Sequence, residues 1–249
     1  MSDKELSGKV AAITDSGRNI GKAIALALGA GGATVIVNAR SNKAEIDAVI
    51  GEIEAAGGKA VAVMGDVADP ATAKRFAAVA QKIGRLDFLI NNAAIRKETP
   101  LEKITFEEWR EVNSIVLDGA FHMVQACVPM IRKSGAGAIV NIGGMSAHGG
   151  SKHRIHVLTA KSALVGFSKA LAHDLAEDHV TVNYLSPGLI ATARDPNAPA
   201  PQHHGAAKTL TGERGKPEDI AAAVRFLCGP GARYITGQTI HANGGAYLP

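Results

Sequence analysis

Short runs rich in β-forming residues alternate along the whole chain with longer segments of helical periodicity, and this alternation limits the possible folds more than any other feature. Strands that alternate with helices favour a parallel sheet covered on both faces, because right-handed crossovers permit little else. The helical patterns include Ile20–Leu28, Phe106–Ile131 and Ala160–Leu175. The predicted strands are Val10–Thr14, Ala33–Asn38, Ala60–Gly65, Leu86–Asn91, Ala138–Ile142, Val180–Leu185 and Gln238–Ala242. We therefore predict an α/β fold, a doubly wound parallel sheet of the Rossmann type with about seven strands.

Length and composition fit one such domain spanning residues 1–249. The polar start, Met1 to Lys9, and the short apolar stretches indicate neither a signal peptide nor a membrane span, so we expect a cytoplasmic protein. With only Cys127 and Cys228 and no clustered ligands, we expect neither a disulfide framework nor a metal site. The net charge of +4 suggests anionic ligands, but the cations are scattered, so we expect no nucleic-acid partner.

The turn that follows the first strand, from Thr14 to Gly21, leads directly into a helix. A helix N-terminus offers unpaired N–H groups and a positive dipole end to a pyrophosphate, and small residues let the backbone approach it. The turn resembles the pattern T-G-x-x-x-G-x-G, with Asp15 and Asn19 at the first two glycine positions. Asn19 is a mild departure because Asn tolerates the left-handed conformation, whereas Asp15 adds a carboxylate near the expected adenosine.

Further motifs along nearly the whole chain carry the same resemblance. They are Asp66-Val67 after the third strand, Asn91-Asn92-Ala93-Ala94 after the fourth, Asn183 through Pro187-Gly188 to Thr192 after the sixth, and Gly237-Gln238 with Asn243-Gly244-Gly245 near the end. Together with the turn, they resemble the short-chain dehydrogenases/reductases, and within them the 3-oxoacyl-acyl-carrier-protein reductases.

This resemblance implies a dinucleotide site with Asp66 and Val67 at the adenine, Asn92 and Ala93 at the adenosine ribose, and Ile190 and Thr192 at the nicotinamide carboxamide. The complete expected cofactor set is Asp15, Gly17, Arg18, Asn19, Ile20, Gly21, Arg40, Asp66, Val67, Asn92, Ala93, Ala94, Lys161, Pro187, Gly188, Ile190 and Thr192.

The end of the second strand favours NADP(H) over NAD(H), although NAD(H) stays possible. An NAD-specific relative typically has Asp where this chain has Ala39, since that carboxylate holds the ribose 2′-OH. Arg40 and Arg18 instead supply guanidinium groups that can pair with a 2′-phosphate. Both arginines are also ordinary candidates for surface cations.

The family's catalytic positions are mostly replaced. In the family, a Tyr precedes a Lys by one helical turn, the Lys lowers the Tyr pKa, a Ser orients the substrate oxygen, and an Asn supports a water chain. The segment TAKSALVGFSKAL places that Lys at Lys161. The Tyr, Ser and Asn positions fall on Val157, Gly144 and Val116. No Tyr precedes Lys161, because the chain has only Tyr184, Tyr234 and Tyr247.

Polar residues near Lys161 are candidates for the missing proton donor, as is water held by Lys161 and nearby His and Ser residues. They are Ser146 and His148, which follow the fifth strand, and His153 and Arg154, which would face inward if the helix begins early enough. Exposed loop histidines are the competing interpretation. Residues 191–212, rich in Pro, Ala and Gly, are predicted to form a lid that carries His203 and His204.

Three functions remain open at this point. The first is an NADP(H)-dependent oxidoreductase with a non-standard proton donor, acting on a small carbonyl, alcohol, imine or alkene. The second is a non-redox isomerase or lyase on the same scaffold. The third is a sensor or assembly subunit that binds NADP(H) without turnover. The resemblance also implies a homodimer or homotetramer.

Overall fold

The computed structural model of the chain describes residues 4–193 and 208–249. Within this part, one parallel sheet runs in the order β3-β2-β1-β4-β5-β6-β7. The strands are β1 (Val10–Ile13), β2 (Thr34–Ala39), β3 (Lys59–Met64), β4 (Phe88–Asn91), β5 (Ala138–Ile142), β6 (Thr181–Pro187) and β7 (Thr239–Ala242). The predicted fold class, a seven-stranded Rossmann sheet, is confirmed.

Helices cover both faces of this sheet. They are α1 (Asn19–Ala30), α2 (Lys43–Ala55), α3 (Pro70–Ile83), α4 (Phe106–Asn113), α5 (Gly119–Ile131), α6 (Ser146–Gly149), α7 (Ile155–Asp174) and α8 (Pro217–Cys228). On one face α1 packs against α8, and on the other α3 packs against α5. Side chains along β1 point alternately to the two faces of the sheet. Ala11 and Ile13 belong to the core cluster on one face, and Val10 and Ala12 belong to the cluster on the other, so both faces are buried under helices.

One helical segment differs from its prediction. The pattern Phe106–Ile131 predicted a single helix, whereas α4 and α5 are joined by a π-helical turn, Ser114–Asp118. A π turn inserts a residue without ending the helix, so the apolar periodicity on either side does not reveal it. The turn includes Val116, the residue at the predicted Asn position.

By length and composition, the stretch Phe106–Ser134 could span a bilayer. Half of its most apolar window is buried inside the fold, and Met123 and Cys127 are completely covered by the core. A core helix of this kind satisfies the same length and composition criteria.

The carboxyl ends of β1, β4, β5 and β6 lie side by side in the centre of the sheet. The chain order reverses between β1 and β4, which is the point where open α/β sheets bind their ligands. The loops that follow these strands therefore form the site.

Candidate active site

The turn between β1 and α1 adopts the backbone of a glycine-rich turn, with Asp15 and Asn19 in place of the first two glycines. Asp15 and Asn19 both have a φ of 49°, the left-handed region that favours glycine. Gly21 remains necessary, because a Cβ there would lie 2.0 Å from the Asp15 carbonyl oxygen. The turn thus keeps its shape, with two side chains at positions where the resemblance expects none.

Side chains from β4 and β2 fasten this turn to the sheet. The Thr14 hydroxyl accepts hydrogen bonds from the backbone N–H groups of Asn92 and Ala93, at 2.9 and 3.0 Å. The Asn92 side-chain amide donates to the carbonyls of Thr14 and Asp15, at 3.1 and 2.9 Å. Asn38 Oδ1 accepts from the Asp15 N–H at 3.1 Å. The Asn92 side-chain amide is therefore bonded to the backbone of the turn.

Helix α1 begins without a cap, and this fits an anionic ligand. Its N-cap residue, Arg18, makes no side-chain capping bond, and its first turn carries no acidic residue. By contrast, α2, α3 and α4 are capped by Asn42, Asp69 and Thr105, although α7 begins without a capping side chain as α1 does. The first N–H groups of α1 and its positive dipole end are left to a ligand, as the pyrophosphate of a dinucleotide requires.

Cations surround the far edge of the same turn. Arg18 and Arg40 are exposed, and Arg40 Nη1 lies 3.9 Å from Asp66 Oδ2. Asp15 is partly buried, and the loss of hydration raises the pKa of its carboxyl group, while nearby Arg18 and Arg96 oppose that rise. Val67 is buried beside this edge. The predicted adenosine end therefore carries the cations Arg18 and Arg40 together with the carboxylates of Asp15, Asp66 and Glu45.

The loop after β6 forms the opposite wall of the site. Gly188 packs so closely that a Cβ would lie 2.5 Å from Asn243 Cα, and Ile190 is buried. Thr192 Oγ1 accepts a hydrogen bond from Arg96 at 3.2 Å. The Asn19 side chain accepts from the Ala193 N–H at 2.8 Å and donates to the Ala193 carbonyl at 3.2 Å. The side chains of Arg96 and Asn19 thus connect the start of the predicted lid to the site.

Most of the predicted lid, residues 194–207, lies outside the described residues, and with it His203 and His204.

Lys161 lies on α7 and reaches the end of β5. Its Nζ donates a hydrogen bond to the Gly143 carbonyl at 2.5 Å. Burial, together with the nearby charges of Arg96 and Arg154, lowers the pKa of Lys161 to about 7. An amine with this pKa can give up and take a proton at neutral pH, which an ordinary lysine cannot do efficiently.

The three positions that the resemblance assigns to the Asn, Tyr and Ser differ in their surroundings. Val116 and Val157 are buried and belong to one apolar cluster with Ala120 and Leu164. Gly144 instead leaves open space, since a Cβ added there would meet only the Lys161 side chain, 3.8 Å away. The face of the Lys161 amine next to Gly144 is therefore open to a small ligand group.

Tyr184, on β6, is the site residue that the sequence reasoning missed. It packs in the same cluster as Val116 and Val157, and its hydroxyl accepts a hydrogen bond from the Gly144 N–H at 3.1 Å. Burial raises the pKa of Tyr184 to about 12, so its phenol stays protonated. The sequence signal was weak, because Tyr184 comes after Lys161 and within a strand pattern.

The other predicted catalytic residues lie at different depths. Ser146 and His148 are half-buried on the short helix α6. The His148 ring packs edge-on against Tyr184, with centroids 5.6 Å apart, and burial lowers its pKa. The helix α7 begins after both His153 and Arg154, so neither lies within it. Arg154 is buried, whereas the His153 side chain is exposed.

A cleft of about 670 Å³ opens beside the start of α7. His153 and Arg154 line it together with Leu101, Leu158 and Ser162. His153 therefore faces this outer cleft, while the charge of Arg154 acts on Lys161.

The sheet order, the turn after β1 and the uncapped helix define a dinucleotide-binding Rossmann domain. Comparison with known proteins refines this class. A family model described as enoyl-(acyl carrier protein) reductase matches residues 15–247. The 3-oxoacyl-(acyl-carrier-protein) reductase of Synechocystis sp. is 38% identical over 248 residues, which cover 98% of either protein.

Solved structures agree with this match. A short-chain dehydrogenase from Burkholderia cenocepacia, in complex with NADP, superposes with a TM-score of 0.90 and 32% identity, covering 97% of this chain and 99% of that one. A blue fluorescent protein from a metagenomic library, in complex with NADPH, gives a TM-score of 0.91 and 33% identity, covering 98% and 100%. The chain belongs to the short-chain dehydrogenase/reductase family of oxidoreductases.

Proposed function

We propose that this protein is an NADP(H)-dependent oxidoreductase in which Lys161 takes the place of the family's tyrosine as the proton-carrying group. Its substrate is a small carbonyl compound or alcohol, or an imine or activated alkene. The position of Lys161 carries the proposal: the Nζ is held at the Gly143 carbonyl, 2.5 Å away, beside the space that Gly144 leaves open.

The residues that would bind the cofactor fit an NADP(H) molecule. The uncapped start of α1 suits the pyrophosphate, and Arg18 and Arg40 suit a 2′-phosphate. Both solved relatives described above carry NADP or NADPH. Thr192 and Ile190 form the wall at the expected nicotinamide end.

Bound NADPH supplies the hydride. In the reductive direction, the Lys161 ammonium would donate one proton to the substrate oxygen or nitrogen, or to the α-carbon of an activated alkene, and the resulting amine would regain a proton from water. In the oxidative direction, the neutral amine accepts the proton of the alcohol. A pKa of about 7 makes both forms available at neutral pH. Ser146, His148 and Arg154 are proposed to contribute to substrate orientation from the same side of the sheet.

Purified protein incubated with NADPH and a panel of carbonyl, imine and activated-alkene compounds tests the proposal. We expect substrate-dependent loss of the reduced-nicotinamide absorbance, and we expect Lys161→Met to abolish it. Lys169→Met is the matched control, because Lys169 is exposed on the same helix.

Other outcomes discriminate the alternatives. Turnover that continues in Lys161→Met contradicts the role of Lys161. Turnover with no label transferred from deuterated NADPH to product indicates a non-redox enzyme. Tight NADPH binding with no turnover on any compound indicates a sensor or assembly subunit.

We also propose that the protein acts in the cytoplasm as a homodimer or homotetramer. Large apolar side chains are exposed on or near α4, α5 and α7, namely Leu101, Phe106, Phe121 and Ile155. Such a group of exposed apolar residues is typical of a contact between subunits. Light scattering on the purified protein tests this, and a monomer at micromolar concentration would contradict it.

A further inference from the structure

One peptide unit, between Gly143 and Gly144, connects Tyr184 to Lys161. Its N–H donates to the Tyr184 hydroxyl at 3.1 Å, and its carbonyl accepts from Lys161 Nζ at 2.5 Å. A trans peptide is planar, with its N–H and C=O pointing in opposite directions. Tyr184 and Lys161 therefore bond to opposite sides of the same planar peptide group.

Tyr184 is firmly held in the core. It is only 1% exposed and packs in the apolar cluster that contains Val116 and Val157. A Cβ on Gly143 would lie 1.8 Å from the Tyr184 ring and hydroxyl, so this ring occupies the space of any side chain at that position. The ring can stand there only because residue 143 is glycine.

We propose that Tyr184 is a positioning residue, which orients the Gly143 carbonyl toward Lys161 and thereby fixes the Lys161 ammonium at the open space beside Gly144. The consequence for catalysis rests on the proposed function of Lys161, but the positioning itself does not. Tyr184 acts through the peptide and needs no contact with substrate.

The hydroxyl should also affect the protonation of Lys161. A carbonyl that accepts a hydrogen bond from an ammonium stabilises the charged form. In Tyr184→Phe, the Gly144 N–H loses its acceptor, so the peptide can turn and Lys161 loses a fixed partner. The charged groups that act on Lys161, Arg96 and Arg154, stay in place. The pKa of Lys161 should then fall below its wild-type value.

Nuclear magnetic resonance of lysine-labelled protein measures this directly through the pH titration of the Lys161 Cε resonance. We expect Tyr184→Phe to lower the midpoint by at least about half a pH unit. Tyr247→Phe is the matched control, since the Tyr247 ring contacts His148 and His241 rather than this peptide. An unchanged Lys161 titration in folded Tyr184→Phe protein would overturn the proposal.

A second measurement needs no variant. It tests the bond between the Gly144 N–H and the Tyr184 hydroxyl even if Tyr184→Phe does not fold. Amide hydrogen exchange of the wild-type protein should show Gly144 protected, although it lies beyond the last residue of β5. Exchange at the rate of an unstructured amide would mean that the bond to Tyr184 is not formed.

These experiments separate the positioning role from the proposed function. A shifted titration together with turnover that survives Lys161→Met would retain Tyr184 as a positioning residue and reject Lys161 as the proton donor. Where turnover is measurable, Tyr184→Phe should lower kcat and displace its pH profile toward acid with little change in KM.

Discussion

Val116 in the π-helical turn and Val157 on α7 belong to one buried apolar cluster. These are the positions that the resemblance assigns to the Asn and Tyr of the family's catalytic set. Tyr184 packs in the same cluster and bonds to the backbone of Gly144, the position that the resemblance assigns to the Ser. The three positions are therefore linked by packing, and we expect that introducing one family residue alone does not restore the family's chemistry.

Replacing Val157 by Tyr should destabilise the protein. Val157 is completely buried, so a phenol there must displace its neighbours, at a cost of about 1–3 kcal/mol. Thermal unfolding of Val157→Tyr measures the effect, and we expect no gain in turnover.

Gly144→Ser provides the matched comparison, because the space beside Gly144 is open. Its stability should stay within about 0.5 kcal/mol of wild type. Equal destabilisation of both variants would contradict the packing described here.

Asp15→Gly should stabilise the protein, whereas Asn19→Gly should not. Both residues have a φ of 49°, so glycine relieves about 1 kcal/mol of strain at either position. Only Asn19 loses side-chain hydrogen bonds in exchange, namely its two bonds to Ala193, each worth about 1 kcal/mol, whereas Asp15 loses the attraction of Arg18 and Arg96 along with the cost of burying its carboxylate. Chemical denaturation of the two variants gives the comparison, and an equal gain in both would show that the Asn19 bonds contribute nothing.

The carboxylate of Asp15 should make the folding stability of the wild-type protein depend on pH. Its pKa is raised by burial, so the folded state binds its proton more tightly than the unfolded state does. Its contribution to stability is then fully present in acid and is lost as pH rises through the raised pKa. Asp15→Asn should therefore match wild type in acid and be more stable at neutral pH; a gain only in acid would contradict this sign.

Arg40→Ala should weaken NADPH binding by about tenfold and leave NADH binding nearly unchanged, since only NADPH carries the 2′-phosphate. Arg18→Ala should act in the same direction. Fluorescence titration with the two reduced cofactors measures both effects. Arg75→Ala is a control cation, because Arg75 bonds to the Met64 carbonyl and the Thr72 hydroxyl. An equal loss of affinity for NADPH and NADH in Arg40→Ala would place Arg40 away from the phosphate.

The fold could be predicted from sequence because each strand is a short buried run between helical patterns. β5 was predicted with its exact bounds, Ala138–Ile142, and other strand ends differed by a residue or a few. The pattern predicts a later start for α7 than Ile155, since no capping side chain marks its first residue. The pattern does not reveal the π-helical turn, because that turn joins α4 and α5 without a break.

The site was predictable only where neighbours in sequence are neighbours in space. Lys161 and the turn from Thr14 to Gly21 could be located from local motifs. The contact of Tyr184 with Gly143 and Gly144 could not, since it joins residues about forty positions apart through the pairing of β5 with β6. The burial that lowers the pKa of Lys161 to about 7 likewise depends on the packed structure.

The pH dependence of kcat for the reductive reaction tests the central role of Lys161 most directly. The pKa of about 7 predicts that the rate is highest in acid and falls as pH rises through about 7, because the ammonium form is then lost. Lys161→Arg, which keeps the charge but does not titrate in this range, should be inactive. A rate that stays constant up to about pH 10, where an ordinary lysine or tyrosine titrates, or full activity in Lys161→Arg, would contradict Lys161 as the proton donor.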